Sequence, residues 1–183
     1  IVCDGAGYGD DGAIWGGEIL TSNTYRYERS GHLMEQPMIG GDKATYYPLR
    51  MVVGILYNKV DRFENFIYDK LHYFPDGNKE VEILFDEIIK LNNNKFKATM
   101  TTSTGRILDA VSSLLGICYE RTYEGEPALK LESAALNGKD VIHLPPLISN
   151  NILNTTILLQ HIYENRKRFS IKDLAYSAHL YLA

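Results

Sequence analysis

The chain has 183 residues, of which 45% are hydrophobic and 23% are charged, and its formal net charge is −4 at pH 7. This size and polarity are typical of one globular domain, and the scattered charges exclude an electrostatic surface for nucleic acid or for an anionic membrane. No apolar stretch approaches the roughly 20 residues that span a bilayer, so we expect neither a nucleic-acid partner nor a membrane partner.

The first part of the chain carries most of the strand signal. Short apolar or aromatic runs punctuated by glycine predict a small β-meander, with strands at residues 1–3, 13–15, 18–20 and 25–27. Residues 4–12, between the first two strands, contain four glycines. We predict a loop there, whose backbone can approach a ligand closely because glycine has no Cβ.

Beyond residue 40 the spacing of apolar residues changes to that of helices. We predict helices at residues 48–57, 62–71, 79–91, 104–115, 126–136, 154–166 and 170–183, and a short strand at residues 141–144. The profile is that of an α/β protein, with a small sheet at the front followed mostly by helices.

The two ends and the cysteines add further expectations. A strand begins at the first residue and a helix runs uncapped to the last, which suggests a chain cut from a larger fold at both ends. Cys3 and Cys118 are too few and too far apart for a zinc motif, and a single disulfide would stabilise a domain of this size poorly. We therefore expect reduced thiols and a cytoplasmic location.

Three sequence blocks occur in order along the chain. The first is DGAGYGDDGAIWGGE at residues 4–18, and the second is GGD at residues 40–42 with Pro48 and Arg50. The third is STGRILDAVSSLLG at residues 103–116, followed by YEGEPA at residues 123–128. In order and spacing these blocks resemble the C-terminal carbamoyltransferase domain of the HypF hydrogenase-maturation family, and three ordered blocks are far more specific than one glycine motif.

The resemblance implies a partial actin-like, sugar-kinase and heat-shock ATPase fold of the ribonuclease H-like type. Residues 1–183 would form a single domain, the central part of the TsaD-like transferase domain, without the family's upstream H-x-x-x-H block and downstream D-G-G block. Such an enzyme uses carbamoyl-adenylate, made from ATP and carbamoyl phosphate, and a divalent metal, zinc or iron. The acceptor in the family is the C-terminal cysteine of HypE, and we expect the fragment alone to be inactive.

The first block supplies candidate ligands for phosphate and metal. The phosphate-binding segment comprises Gly5, Ala6, Gly7, Tyr8 and Gly9. Its backbone N–H groups can hold an anion without lysine, although an ordinary glycine-rich hairpin is the plain alternative. Asp4 is a metal ligand by resemblance, and the alternative is a turn residue that bonds its own loop.

The third block supplies candidate ligands for the nucleoside. Asp109 lies in an otherwise apolar helix and must find a partner. The residues leave open a ligand hydroxyl, solvent or Arg106, while the resemblance implies that Asp109 binds the ribose and that Gly125 lies beside the nucleoside. Arg106 is a candidate for phosphate, since guanidinium pairs well with phosphate oxygens, but an arginine early in a helix is also commonly on the surface.

No catalytic side chain can be assigned from the sequence, because the five histidines show no metal-ligand spacing. Two other functions stay open. The first is O-carbamoyl transfer to a small-molecule hydroxyl. The second is a catalytically silent fragment that folds and forms a homodimer.

Overall fold

The strands of the computed structural model lie mostly in the first third of the chain. The model describes residues 1–4 and 7–183, and it gives Gly5 and Ala6 only as part of a strand. In the described part the strands are β1 (Val2–Tyr8), β2 (Ile14–Ser22), β3 (Tyr27–Leu33), β4 (Gln36–Met38), β5 (Thr99–Thr101), β6 (Ile148–Ser149) and β7 (Ile152–Leu153).

Helices make up most of the remainder, as the apolar spacing predicts. They are α1 (Lys43–Tyr46), α2 (Leu49–Leu56), α3 (Phe63–Tyr68), α4 (Gly77–Asn92), α5 (Thr104–Leu114), α6 (Glu126–Ala135), α7 (Thr155–Asn165) and α8 (Ile171–Leu182). A single 3₁₀ turn, Leu71–Tyr73, follows α3 and replaces the end of the predicted helix at residues 62–71. The expected α/β class is therefore confirmed.

The strands form one sheet centred on β2 and β3. Strands β1, β2 and β3 pair antiparallel as a meander, but one continuous strand, β2, replaces the two strands predicted at residues 13–15 and 18–20. Strand β5 then pairs parallel to β2, with Ile14 opposite Thr101, and β7 pairs parallel to β3. The parallel β2–β5 pair brings the start of α5, which follows β5 directly, to the head of the meander.

Two further parts of the predicted strand pattern are wrong. The segment at residues 4–12 is not mostly loop, because β1 continues to Tyr8 and pairs with β2 through a register shift between Cys3 and Gly7. The strand expected at residues 141–144 is absent. There Ser177 Oγ accepts the N–H of Val141, and Asp140 accepts the N–H groups of Ile142 and His143, so side chains take the donors that a strand would need.

Helix α2 lies in the middle of the hydrophobic core. All eight of its residues are buried, including Arg50, whose guanidinium pairs with the buried carboxylate of Glu80 in α4. It packs against β4 on one side and against α5, α4 and α7 on the others. No helix among the described residues is long and apolar enough to cross a membrane.

Gly54 is where α2 meets β4 most closely. A Cβ at this position would lie 2.5 Å from the carbonyl oxygen of Pro37 and 3.2 Å from the side chain of Ile39. We expect Gly54→Ala to destabilise the fold by about 1–3 kcal/mol, because the overlap with backbone outweighs the ~1 kcal/mol gain in helix propensity. Urea unfolding measures this, with the exposed α6 change Ser133→Ala as control. A stabilised Gly54→Ala would contradict the described packing.

Candidate functional site

The first and third sequence blocks meet where β1 passes the start of α5. Ser103 is the N-cap of α5, and its Oγ accepts the backbone N–H of Arg106 at 3.2 Å. The same hydroxyl donates to the carbonyl oxygen of Asp4 at 2.8 Å. Gly16 permits this approach, since a Cβ there would overlap the Asp4 carbonyl and contact Ser103. The glycine-rich strand and the helix N-terminus are therefore held against each other.

Glu18 fixes the same junction from β2. Its carboxylate is 1% exposed and accepts the N–H groups of Gly16 at 2.6 Å and Gly17 at 2.8 Å. The other oxygen pairs with Arg29 at 2.9 Å and accepts the hydroxyl of Thr102. Thr102 directly precedes Ser103, the N-cap of α5, so Glu18 positions the start of α5.

A small cavity opens between β1, α1 and α5. It has a volume of about 160 Å³. Its lining residues are Gly7, Tyr8, Ile14, Met38, Asp42, Thr45 and Arg106. Three of the predicted site residues, Gly7, Tyr8 and Arg106, thus share one cavity wall with the GGD block, which contributes Asp42.

Arg106 joins this cavity to Asp109, one turn further along α5. Its Nη2 lies 2.7 Å from Asp109 Oδ2, and both side chains are buried. Burial raises the pKa of the Asp109 carboxyl from 3.8 to about 6, against the opposing effect of the Arg106 and Arg121 charges. Burial also lowers the pKa of Arg106. Of the three partners that the sequence leaves open for Asp109, solvent is excluded and Arg106 is present.

The loop after α5 contributes a second arginine. Arg121 donates its backbone N–H to the carbonyl of Tyr46 at 2.8 Å, and its guanidinium lies 5.0 Å from the centre of the Tyr46 ring. Its charge acts on both Arg106 and Asp109, and the charge of Glu124 acts on Arg106. The Tyr-Glu-Gly block therefore lies on the Arg106 side of the molecule.

Gly125 ends that block in a left-handed conformation, with φ at 76°, and is the N-cap of α6. Glu126, the next residue, closes the turn by accepting the N–H of Thr122 at 2.6 Å and its hydroxyl at 2.8 Å. Lys130 and Thr122 together lower the pKa of Glu126 to about 2. Gly125 does not line the described cavity, so its assignment stays a prediction.

The remaining predicted residues do not line the cavity or lie outside the described residues. Gly5 and Ala6 lie outside the described residues. Gly9 is in a turn where a Cβ would overlap the Trp15 ring, which gives it a packing role. Asp4 is exposed, and the described residues contain no group of three or more histidine, cysteine or carboxylate side chains that could hold a metal.

Several residues at the site carry no sequence signal of function. Ile14 and Met38 are ordinary core residues by type, and Thr45 lies in a helix of only four residues. Arg121 stands between the two recognised blocks, where nothing in its spacing distinguishes it. Only Asp42 could have been found, because it belongs to the GGD block.

Comparisons with known proteins identify the family of the chain. All residues from 1 to 183 match the family model described as "Carbamoyltransferase, Kae1-like Domain, second subdomain". The chain is 48% identical over 98% of its length to a probable carbamoyltransferase HypF of Methanocaldococcus jannaschii. It is 37% identical over 79% of its length to the carbamoyltransferase HypF of Rhodobacter capsulatus.

Two crystal structures of HypF have the same fold over the whole chain. The HypF of T. kodakarensis is 38% identical with a TM-score of 0.86, and a full-length HypF in a phosphate- and nucleotide-bound form is 27% identical with a TM-score of 0.82. These matches confirm the expected partial ribonuclease H-like fold. The chain spans 24% of the first structure and 23% of the second, and 23% and 18% of the two sequence relatives. The chain belongs to the HypF carbamoyltransferase family, in which it corresponds to the second subdomain of the Kae1-like domain.

Proposed function

We propose that this chain forms the adenylate-binding part of a carbamoyltransferase that moves a carbamoyl group from carbamoyl-adenylate to a cysteine of a HypE-like acceptor protein. The observation that carries the proposal is the cavity where Gly7 and Tyr8 of β1 meet Arg106 of α5, with Asp109 bound to the same arginine. Family membership supports the reaction class, and the cavity supports the position of the ligand.

The roles of the site residues follow from their chemistry. The Arg106 guanidinium is a planar donor suited to the phosphate of an adenylate. The Asp109 carboxylate is an acceptor suited to the ribose hydroxyls. Because it is buried, water does not compete with these hydrogen bonds and each is stronger than at the surface. Glycine at position 7 lets the backbone of β1 approach the ligand.

The proposed reaction is nucleophilic acyl transfer. The acceptor thiolate attacks the carbamoyl carbon, a C–S bond forms, and the bond between that carbon and the phosphate oxygen breaks. AMP leaves with the bonding electrons, and its phosphate gains negative charge. Arg106, fixed through the α5 N-terminus, would stabilise the charge that develops on the departing phosphate.

A metal centre is not built by this chain on its own. Asp4 offers one exposed carboxylate, whereas a catalytic divalent metal needs at least three protein ligands as a rule. Zinc or iron in the full-length protein would polarise the carbamoyl carbonyl. We assign it no step, because the described residues do not supply its ligands.

Transfer of labelled carbamoyl tests the proposal. The full-length protein carrying this chain is incubated with ATP, [¹⁴C]carbamoyl phosphate and HypE, and label on HypE is counted. We expect Asp109→Ala and Asp4→Ala each to lower the rate by about 100-fold or more, because Asp109 is the proposed acceptor for the ribose hydroxyls and Asp4 is the expected metal ligand of the full-length protein. Asp86→Ala, on the exposed side of α4, is the control.

The outcomes separate the open functions. Unchanged rates in both site variants would refute the site assignment. Label on a small-molecule hydroxyl instead of HypE would refute the thiol acceptor and favour O-carbamoyl transfer. No transfer by the wild-type full-length protein would favour a catalytically silent relative.

A further inference from the structure

Arg106 contacts both the cavity and Asp109. Its side chain lines the cavity, yet its Nη2 is 2.7 Å from the carboxylate of Asp109. Asp109 is 1% exposed and is not among the residues that line the cavity. A ligand in the cavity therefore meets Arg106 first, and it reaches Asp109 only after Arg106 has left that carboxylate.

The buried pair is incompletely satisfied. Among the described residues, neither carboxylate oxygen of Asp109 has a hydrogen-bond partner, and neither has Arg106 Nε, so the 2.7 Å contact between Arg106 and Asp109 is an ion pair only. One turn further along α5, the buried hydroxyl of Ser112 has none either. Burying polar atoms without hydrogen-bond partners is unfavourable. A ligand that carries both an anionic group and hydroxyls would supply partners to these atoms and so bind favourably at this face of α5.

We propose that the Arg106–Asp109 pair is a latch that makes the site selective for phosphorylated nucleosides over free nucleosides. The inference rests on the proposed nucleotide site and goes further, because it assigns the discrimination to one ion pair. In the latched state each side chain is the other's partner. In the open state the ligand phosphate is the partner of Arg106, and the ribose hydroxyls are the partners of Asp109.

Selectivity follows from the exchange of partners. A nucleoside monophosphate replaces both halves of the pair, so neither charge is left buried alone. Adenosine replaces only the partner of Asp109 and strands the Arg106 cation, which is strongly unfavourable in a buried site. The binding free energy of adenosine is therefore reduced by the cost of breaking the ion pair. AMP avoids this cost because its phosphate becomes the new partner of Arg106.

The charges that face the pair do not replace the missing anion. Arg121 adds a second positive charge near both residues, and Glu124 adds a negative charge near Arg106. Asp42 lies across the cavity. The charges of Arg121 and Glu124 have opposite signs, and Asp42 would repel a phosphate. The Arg106 cation is therefore the group that selects for a ligand with a phosphate.

Calorimetric titration of the full-length protein with AMP and with adenosine tests the latch. We expect the wild type to bind AMP at least about 100-fold more tightly than adenosine, because adenosine leaves one buried charge without a partner. Arg106→Gln should lower AMP affinity about 30-fold and raise adenosine affinity severalfold, so that the ratio falls below about 5. Arg106→Lys, which keeps the charge, should retain a ratio of at least about 20. Arg26→Gln, an exposed arginine between β2 and β3, should leave both affinities unchanged.

Each result decides a separate point. Equal losses of AMP and adenosine affinity in Arg106→Gln would show a purely structural role and overturn the latch while leaving the nucleotide site intact. Binding of neither ligand by the wild type would overturn the proposed function itself. If Arg106→Gln does not fold, Arg106→Lys decides, since a ratio near 1 in that folded variant would contradict the latch.

Discussion

Replacing Glu18 with alanine is expected to lower the free energy of unfolding by about 3–5 kcal/mol, the range for breaking a buried ion pair. The carboxylate is 1% exposed and serves Gly16, Gly17, Arg29 and Thr102 together. Without it, two backbone N–H groups lose their acceptor in the interior, and of its described partners the Arg29 guanidinium keeps only Asp11 and the hydroxyl of Thr102. Each buried donor left without an acceptor costs about 1–3 kcal/mol.

Chemical unfolding followed by circular dichroism measures the effect of the Glu18 change. Glu18→Gln keeps the shape and one acceptor oxygen, so we expect a smaller loss of about 1–2 kcal/mol. Glu28→Ala, an exposed glutamate on β3, is the matched control and should change stability by less than about 0.5 kcal/mol. Equal effects of Glu18→Ala and Glu28→Ala would contradict the network.

Asp109→Asn is expected to remove a pH-dependent part of the stability. Burial raises the pKa of Asp109 from 3.8 to about 6, so the folded state holds the proton more tightly than the unfolded state. Its contribution is therefore fully present below pH 4 and is lost as the pH rises through 6. A pKa shift of this size corresponds to a loss of up to about 3 kcal/mol in the free energy of unfolding between pH 4 and pH 7.

The measurement for Asp109 is the difference in unfolding free energy between wild type and variant from pH 4 to pH 7.5. We expect wild-type stability, relative to Asp109→Asn, to fall across this window. Asp86→Asn is the control, since Asp86 is a helical aspartate that pairs with Lys90 in an exposed position. A constant difference for Asp109→Asn would mean that its carboxyl titrates alike in the folded and unfolded states.

The helices were the most predictable part of the fold, because their apolar spacing reports directly on a buried face. Helix α2 was expected at residues 48–57 and spans Leu49–Leu56, and Ser103, Asn154 and Ser170 cap the helices that follow them. Such caps are local, so the residues that make them are neighbours in sequence.

The short strands could not be predicted, because long-range pairing creates them. Strand β5 has three residues and exists mainly through its pairing with β4, where Thr99 lies opposite Met38 and Thr101 opposite Gln36 although they are far apart in the chain. Long-range contacts also explain why the strand predicted at residues 141–144 does not form. The hydroxyl of Ser177, which accepts the Val141 N–H, is 36 residues away in the chain. Apolar composition alone does not reveal either partner.

The site was predictable in its residues and only partly in its geometry. The resemblance of the glycine-rich block pointed to Gly7 and Tyr8, the chemistry of arginine pointed to Arg106, and these three line one cavity. The closed pair of Arg106 and Asp109 was one of three options for that carboxylate. The sequence could not choose among them, because burial of α5 depends on elements far away in the chain.

A crystal structure of the full-length protein with a non-hydrolysable carbamoyl-adenylate analogue tests the central claim most directly. We predict the analogue phosphate against Arg106, the ribose hydroxyls against Asp109, and the guanidinium moved away from that carboxylate. An intact Arg106–Asp109 pair, with the analogue bound in the open cleft that Phe66, Tyr119 and Tyr163 line, would contradict the account.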